Sequence, residues 1–447
     1  MQALPGPRLP AVVQTLCYGF RPVPFLEWCH RRYGDAFTVR LPGNGPMVVL
    51  ADPAAIHDTM ALDAEDFTVS GAAAFLEPFL GSRTLLLLDG DRHREERRLL
   101  VRALHGETMS EYGRHMAEAT LREMATWPRD RPFALHPRLQ AITLDVIVKL
   151  LLGVDDEAGH DELIGLLRPW IRQDARSVVL LWEPMRRDFG GHGPWVSFAA
   201  QRRAVHEWID RHISTRRGDP NLADRTDVLS RLLAHGDLEP AALRDQLVTM
   251  ILAGHDTSAT ALAWAFVLIL RHRHVLDRLV VELDAGEDGY LDAVVKEVLR
   301  LTPVVIEVGR TLTHDATLGG TVVPAGATAV PSILLAQRRA DRYSEPHAFR
   351  PERFVDAAAD PHAWLPFGGG VRRCIGAAFA TLEIKTVLRT VLSDVELRAI
   401  GRMEKPRRRA VTMIPSRGAR VVMVGARHRP SRLAQREHQE AEHHRVP

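Results

Sequence analysis

The chain has 447 residues, 46% hydrophobic and 26% charged, with a formal net charge of +2. Such a balance is ordinary for a globular protein with a large core. With no single basic run, it carries no electrostatic bias toward nucleic acid. Three cysteines, Cys17, Cys29 and Cys374, are too few for a disulfide framework and fit a reducing compartment.

In chain order, "MQALPGPRLPAVVQTLCYGFRP" has no charged start followed by a long apolar run. Its apolar patch is shorter than the ~20 residues that span a bilayer. The expectation is a cytoplasmic protein with no transmembrane anchor and at most peripheral membrane contact. Residues 36–53, "AFTVRLPGNGPMVVLADP", predict two strands around a Pro-Gly-Asn-Gly turn, then a helix from Pro53. From about 89 to 300 apolar residues recur at helical spacing, as in "LQAITLDVIVKLLLG" (139–153) and "LDAVVKEVLRL" (291–301). Residues 178–195 break that period and predict a partly apolar loop.

Residues 247–270, "LVTMILAGHDTSATALAWAFVLIL", are long enough for a membrane span. Asp256 at their centre would cost roughly 2.5–3.5 kcal/mol in a bilayer, so they predict a helix buried inside a large domain. Beyond 305 short strands and turns take over. The hairpin at 36–50 can pair with those strands and close one domain over 1–425. Residues 426–447 lack an apolar face and predict a disordered polar tail. The fold class is mainly α with a minor β portion near each end.

The chemistry gathers at "FGGGVRRCIG", residues 367–376, where Gly368, Gly369, Gly370 and Gly376 surround Cys374 just before a helical stretch. A Gly-rich loop opening a helix suggests a phosphate cradle, but no Gly-Lys-Ser/Thr follows. A lone cysteine is often a buried structural thiol, which leaves the glycines unexplained. A thiolate at a helix start, stabilised by the dipole and free N–H groups, explains them better. Glycines also let backbone lie close to a flat ligand such as haem, for which Cys thiolate is an axial ligand.

Residues 367–376 resemble the Phe-x-x-Gly-x-Arg-x-Cys-x-Gly signature of the cytochrome P450 family, with Phe367, Gly370, Arg372, Cys374 and Gly376 in place. Other family marks follow in order over roughly residues 20–425. The resemblance implies the P450 fold, with haem b between the central helix and the Cys loop with its following helix. It makes Cys374 the iron ligand. Phe367 would shield the sulfur, and Arg372 would reach a propionate.

"AGHDT", residues 253–257, is similar to the family's oxygen-activating motif. A hydroxyl beside a carboxylate can relay the protons that O2 activation consumes. Thr257 would bond the oxygen, Asp256 would gate protons, and Ala253 and Gly254 would keep the pocket wall thin. The plain alternative is a polar break in a buried helix, with Thr257 bonded back to a carbonyl. "KEVLR" with "PERF" matches the family's Glu–Arg–Arg cluster as Glu297, Arg300 and Arg353, a structural role. His93 and Arg97 in "RHREERR" resemble a propionate clamp, and Arg310 a further propionate contact; a solvated basic face is the alternative for both.

The resemblance places Phe75, Leu76, Phe79, Leu180, Leu181, Ala253, Val305 and Ile306 around a pocket for a hydrophobic small molecule. It implies a monomeric monooxygenase using O2 and a separate ferredoxin- or flavodoxin-type donor with its reductase. Arg94, Arg98, Arg102, Arg373 and Lys385 are the expected basic docking face. The rivals are a peroxide-driven haem-thiolate peroxygenase or isomerase, a non-catalytic haem binder or gas sensor, and a haem-free thiol or phosphate-loop protein.

Overall fold

The apolar stretch at 247–270 is the middle of one long helix, Pro240–Ile269. Pro240 suits its first turn, where no intrahelical N–H bond is needed. Of its most apolar window, 72% is buried inside the protein. By length and composition it could cross a membrane; here it is a core helix. It packs extensively on His136–Leu152 and also on Ala377–Asp394. Leu262, Phe266, Val387, Leu388 and Val391 fill the space between these helices with other apolar residues. The computed structural model describes residues 4–42, 45–104, 109–176, 193–235, 238–355, 359–360 and 363–427.

The hairpin forms as expected, Ala36–Val39 antiparallel to Met47–Leu50. Met47–Leu50 then pairs in parallel with Thr328–Pro331, which brings the two ends of the chain into one sheet. Arg310–Leu312 and Phe67–Thr68 complete its five strands. Side chains alternate along a strand, so Arg310 and Leu312 are both buried while Thr311 is less so. The helix at Pro53–Ala61 is capped by Asp52, whose carboxylate accepts from the Ala55 N–H.

Most of the loop expected at 178–195, with Leu180 and Leu181, lies outside the described residues. Pro194 and Trp195 instead begin the helix Pro194–Arg217. The expected tail also starts too early. Ala426 still pairs with Val395, and the Arg427 N–H donates to the Asp394 carbonyl; residues 428–447 lie outside the described set.

Candidate functional site

Gly370 has φ +64°, and a Cβ there would run into the Met60 carbonyl oxygen. Only glycine combines that backbone with that approach, so Gly370 serves the packing of the loop on the Pro53–Ala61 helix. Gly376 has φ −90° and open space around its Cα. It caps the Ala377–Asp394 helix, and its N–H donates to the Cys374 thiol. The Cys374 N–H donates to the Phe367 carbonyl at 2.9 Å. Phe367 packs edge-on to Trp364, whose indole donates to the Lys296 carbonyl at 3.0 Å. Cys374 is exposed, yet surrounding protein raises its thiol pKa, while the Gly376 N–H, Arg97 and Arg373 act to lower it.

Four sequence-predicted donors converge beside this loop. Arg310 is buried, and its Nη2 donates to the Gly369 carbonyl at 3.2 Å; its Nε and Nη1 have no partner among the described residues. Burial, and then Arg372, lowers its pKa to about 10. Arg372 donates to the Leu85 carbonyl and to Asp89 at 3.2 and 2.8 Å, leaving Nε unfilled. His93 is buried with Nδ1 unfilled, and its pKa falls to about 4 through burial, then Arg372 and Arg97. Arg97 donates to the Arg373 carbonyl at 2.7 Å. Buried donors are rarely left unpaired. Three arginines and a histidine, of which only Arg372 pairs with a carboxylate, Asp89, fit a ligand with two carboxylates. The thiol at a helix start fits the iron of the same ligand, so these residues suit haem.

On the central helix Ala253 is exposed in mid-helix. The Thr257 hydroxyl donates to the Ala253 carbonyl at 2.7 Å, the back-bonded state weighed from sequence. Asp256 accepts from Arg409, from Gln140 at 2.9 Å and from Thr412 at 3.2 Å. Burial would raise its carboxyl; Arg409, His255 and His136 outweigh this and hold it below the usual range. Gly254 lies against the His136–Leu152 helix. A Cβ there would meet Ile147 Cδ1 at 3.0 Å, so this glycine lets the His136–Leu152 helix approach.

The sequence matches the cytochrome P450 family profile over residues 4–421. The chain belongs to the cytochrome P450 family. It is 38% identical over 429 residues to cytochrome P450 135B1 of Mycobacterium tuberculosis, covering 93% of this chain and 90% of that protein. It is 37% identical to cytochrome P450 138 of the same organism, covering 94% and 96%. The fold is shared with the retinoic acid-bound cyanobacterial CYP120A1, at TM-score 0.82 and 24% identity over 95% of this chain and 99% of that one. It is also shared with the cytochrome P450DA heme domain, at TM-score 0.83 and 22% identity over 96% and 98%. As a P450 the chain is an oxidoreductase of the haem-thiolate monooxygenase class, using haem b held by cysteine.

In this P450 the Glu–Arg–Arg cluster is fully assembled. Arg300 Nε and Nη2 donate to Glu297 at 2.6 and 2.9 Å, and Arg353 Nε at 3.1 Å. Glu297 and Arg300 are completely buried. Arg300 also donates to the Gln337 carbonyl, and the Gln337 side chain accepts from the Leu365 N–H. That chain of bonds ties the cluster to the run into the Cys loop.

The pocket residues fare unevenly. Phe75 is exposed, Leu76 and Val305 are half-buried. Phe79 is a core residue, edge-on to Phe198 with centroids 4.9 Å apart. Ile306 is core too, buried with Phe25, Phe37 and Val330. Two expected docking charges are paired: Lys385 lies 2.9 Å from Asp288, and Arg94 meets Asp91.

Sequence reasoning missed Glu383, fully buried on the Cys-side helix. Burial raises its pKa to about 8, against a hydrogen bond from Ser258, the neighbour of Thr257. A carboxyl on the buried face of a helix was the available signal. Asp89 beside Arg372 was missed as well; nothing in its spacing marks it.

Proposed function

We propose that this P450 inserts one atom of O2 into a hydrophobic small molecule, with two electrons from a separate ferredoxin- or flavodoxin-type donor and its reductase. The second oxygen atom leaves as water, taking up two protons. Thiolate-ligated haem, when bound, supplies the redox chemistry. The residues supply its seat and the protons. Cys374 is the ligand, and the Gly376 N–H with Arg97 and Arg373 favours its thiolate. Phe367 covers the sulfur. His93, Arg97, Arg310 and Arg372 receive the propionates, answering the unfilled donors of His93, Arg310 and Arg372.

The Asp256–Thr257 pair carries the choice of monooxygenase over peroxide-driven chemistry, which needs no proton relay from water. Thr257 can turn its hydroxyl from the Ala253 carbonyl toward the cavity. Asp256, held charged by Arg409, is the acceptor that passes protons inward. Glu383, neutral at pH 7, holds a proton beside Ser258. Glu297, Arg300 and Arg353 keep the loop seated. Residues 1–427 act as one monomeric catalytic domain in the cytoplasm, and Arg98, Arg102 and Arg373 are the exposed charges that meet an acidic donor.

Turnover with NAD(P)H and a redoxin pair, compared with peroxide alone, tests the assignment. Product formed only with the electron chain is the expected result. Product formed only with peroxide overturns it, and a reduction rate indifferent to salt removes the basic docking face.

A further inference from the structure

Thr249, Ala253 and Thr257 recur every four residues of the central helix and share one stripe. Ala253 is exposed in mid-helix, so this stripe is left open at its centre. Thr249 closes the stripe two turns from Thr257, about 12 Å along the axis. Several helical threonines of this protein return their proton to the carbonyl one turn back, as Thr59, Thr120, Thr257 and Thr381 do. Thr249 instead lies 2.6 Å, hydroxyl to hydroxyl, from Thr84. Thr84 is fully buried and Thr249 is 5% exposed.

That bond uses one hydroxyl proton of two. Among the described residues no acceptor takes the other. The pair is also rigidly placed. Gln246, itself buried, donates to the Arg83 carbonyl at 3.1 Å and accepts from the Leu85 N–H at 3.0 Å, so it grips the chain on both sides of Thr84. Gln246 is fixed in turn by Glu96 at 2.6 Å. The cluster around this end of the helix is apolar, including Leu80, Leu85, Val248 and Met250. A fixed, unspent donor in apolar surroundings costs stability unless a ligand fills it.

We infer that the Thr84–Thr249 pair is a specificity-determining donor for one neutral oxygen acceptor, a ketone or ester carbonyl, on an otherwise apolar substrate. The acceptor lies about two helical turns from Thr257. A carboxylate is the wrong partner, because one neutral donor does not offset the burial of a charge. A site built to bond an oxygen discriminates against the analogue that lacks it. The inference rests on the haem-pocket reading above.

The test is a spectral titration of the haem-loaded protein with N-alkylimidazoles of increasing chain length. Each chain ends either in a methyl ketone or in the matching alkyl group, and the imidazole anchors the other end at the iron. The wild type is expected to bind the ketone about fivefold more tightly at one chain length. Thr84→Val and Thr249→Val should each erase that preference while leaving alkyl binding unchanged, and Thr249→Ser should keep it. Equal binding of both ends by the wild type overturns the anchor without any variant, as does a preference that survives Thr249→Val. A series that produces no spectral shift at any length overturns the haem reading itself.

Discussion

Arg310 and Arg372 hold their guanidinium carbons 4.3 and 5.9 Å from the centroid of one ring, that of Phe67. Arg372 has Asp89 as a counter-charge. Arg310 has no carboxylate partner among the described residues, and its lowered pKa records the cost of holding that charge. Arg310→Met should therefore act in opposite directions on two states. Haem should transfer to apomyoglobin at least about tenfold faster, as expected for a lost charge-assisted bond. The haem-free protein should melt higher, because an unpaired buried charge has gone. Unchanged haem retention would remove Arg310 from the propionate site.

Glu297→Ala leaves Arg300 buried without its partner. The expected cost is about 3–5 kcal/mol, read from denaturant unfolding, with poor haem loading because Gln337 links the cluster to Leu365. A variant as stable as wild type would show the cluster to be dispensable.

The glycines of the Cys loop should separate in a simple comparison. Gly370→Ala places a Cβ against the Met60 carbonyl at a positive φ, and should yield protein with little haem. Gly376→Ala keeps the N–H that faces the thiol and meets no atom within 4 Å, so it should load normally. Equal loading of the two would contradict the packing role of Gly370. Cys374→Ser, alongside them, should lose the thiolate signature of the ferrous–CO spectrum.

Thr257→Ala should still bind haem but waste electrons. Product formed per NAD(P)H should fall about tenfold or more, consistent with loss of a positioned proton donor. Thr257→Ser should recover most of the yield. Fully coupled turnover by Thr257→Ala would rule out the relay.

Glu383 predicts a pH effect. Its folded pKa of about 8 lies above the ordinary carboxyl value of 4.5, so the folded state holds its proton more tightly than the unfolded state. The stability this contributes is complete below pH 4.5 and is lost as pH rises to about 8. Glu383→Gln lacks that loss. The melting temperature of the variant should gain on wild type as pH rises from 5 to about 8 and then run parallel. Parallel curves throughout that window would show that Glu383 does not bind its proton in this way.

Much of the site was written locally. The Cys loop, "AGHDT", "KEVLR" and "PERF" each place their groups within a few residues, where helix spacing or loop length fixes which side chains can meet. Glu297 and Arg300 are one such pair, and Arg353 needed only the order of motifs. The hairpin at 36–50 followed from two apolar runs around a turn; its pairing beyond 305 was allowed by the sequence and specified only by the assembled sheet. From these the sequence alone determined the mainly α fold, the thiol at a helix start and the hydroxyl beside a carboxylate.

Tertiary structure decided what each group faces. Gly254 meets Ile147, Gly370 meets Met60, and Phe79 and Ile306 turn into core clusters. Arg409 reaches Asp256 across 153 residues, and Thr84 reaches Thr249 across 165. Glu383 has its raised pKa because the folded protein excludes water from it. Local spacing sets direction along an element, but burial and long-range partners depend on which elements pack together. That packing is a sum over the whole core, and no short motif encodes it.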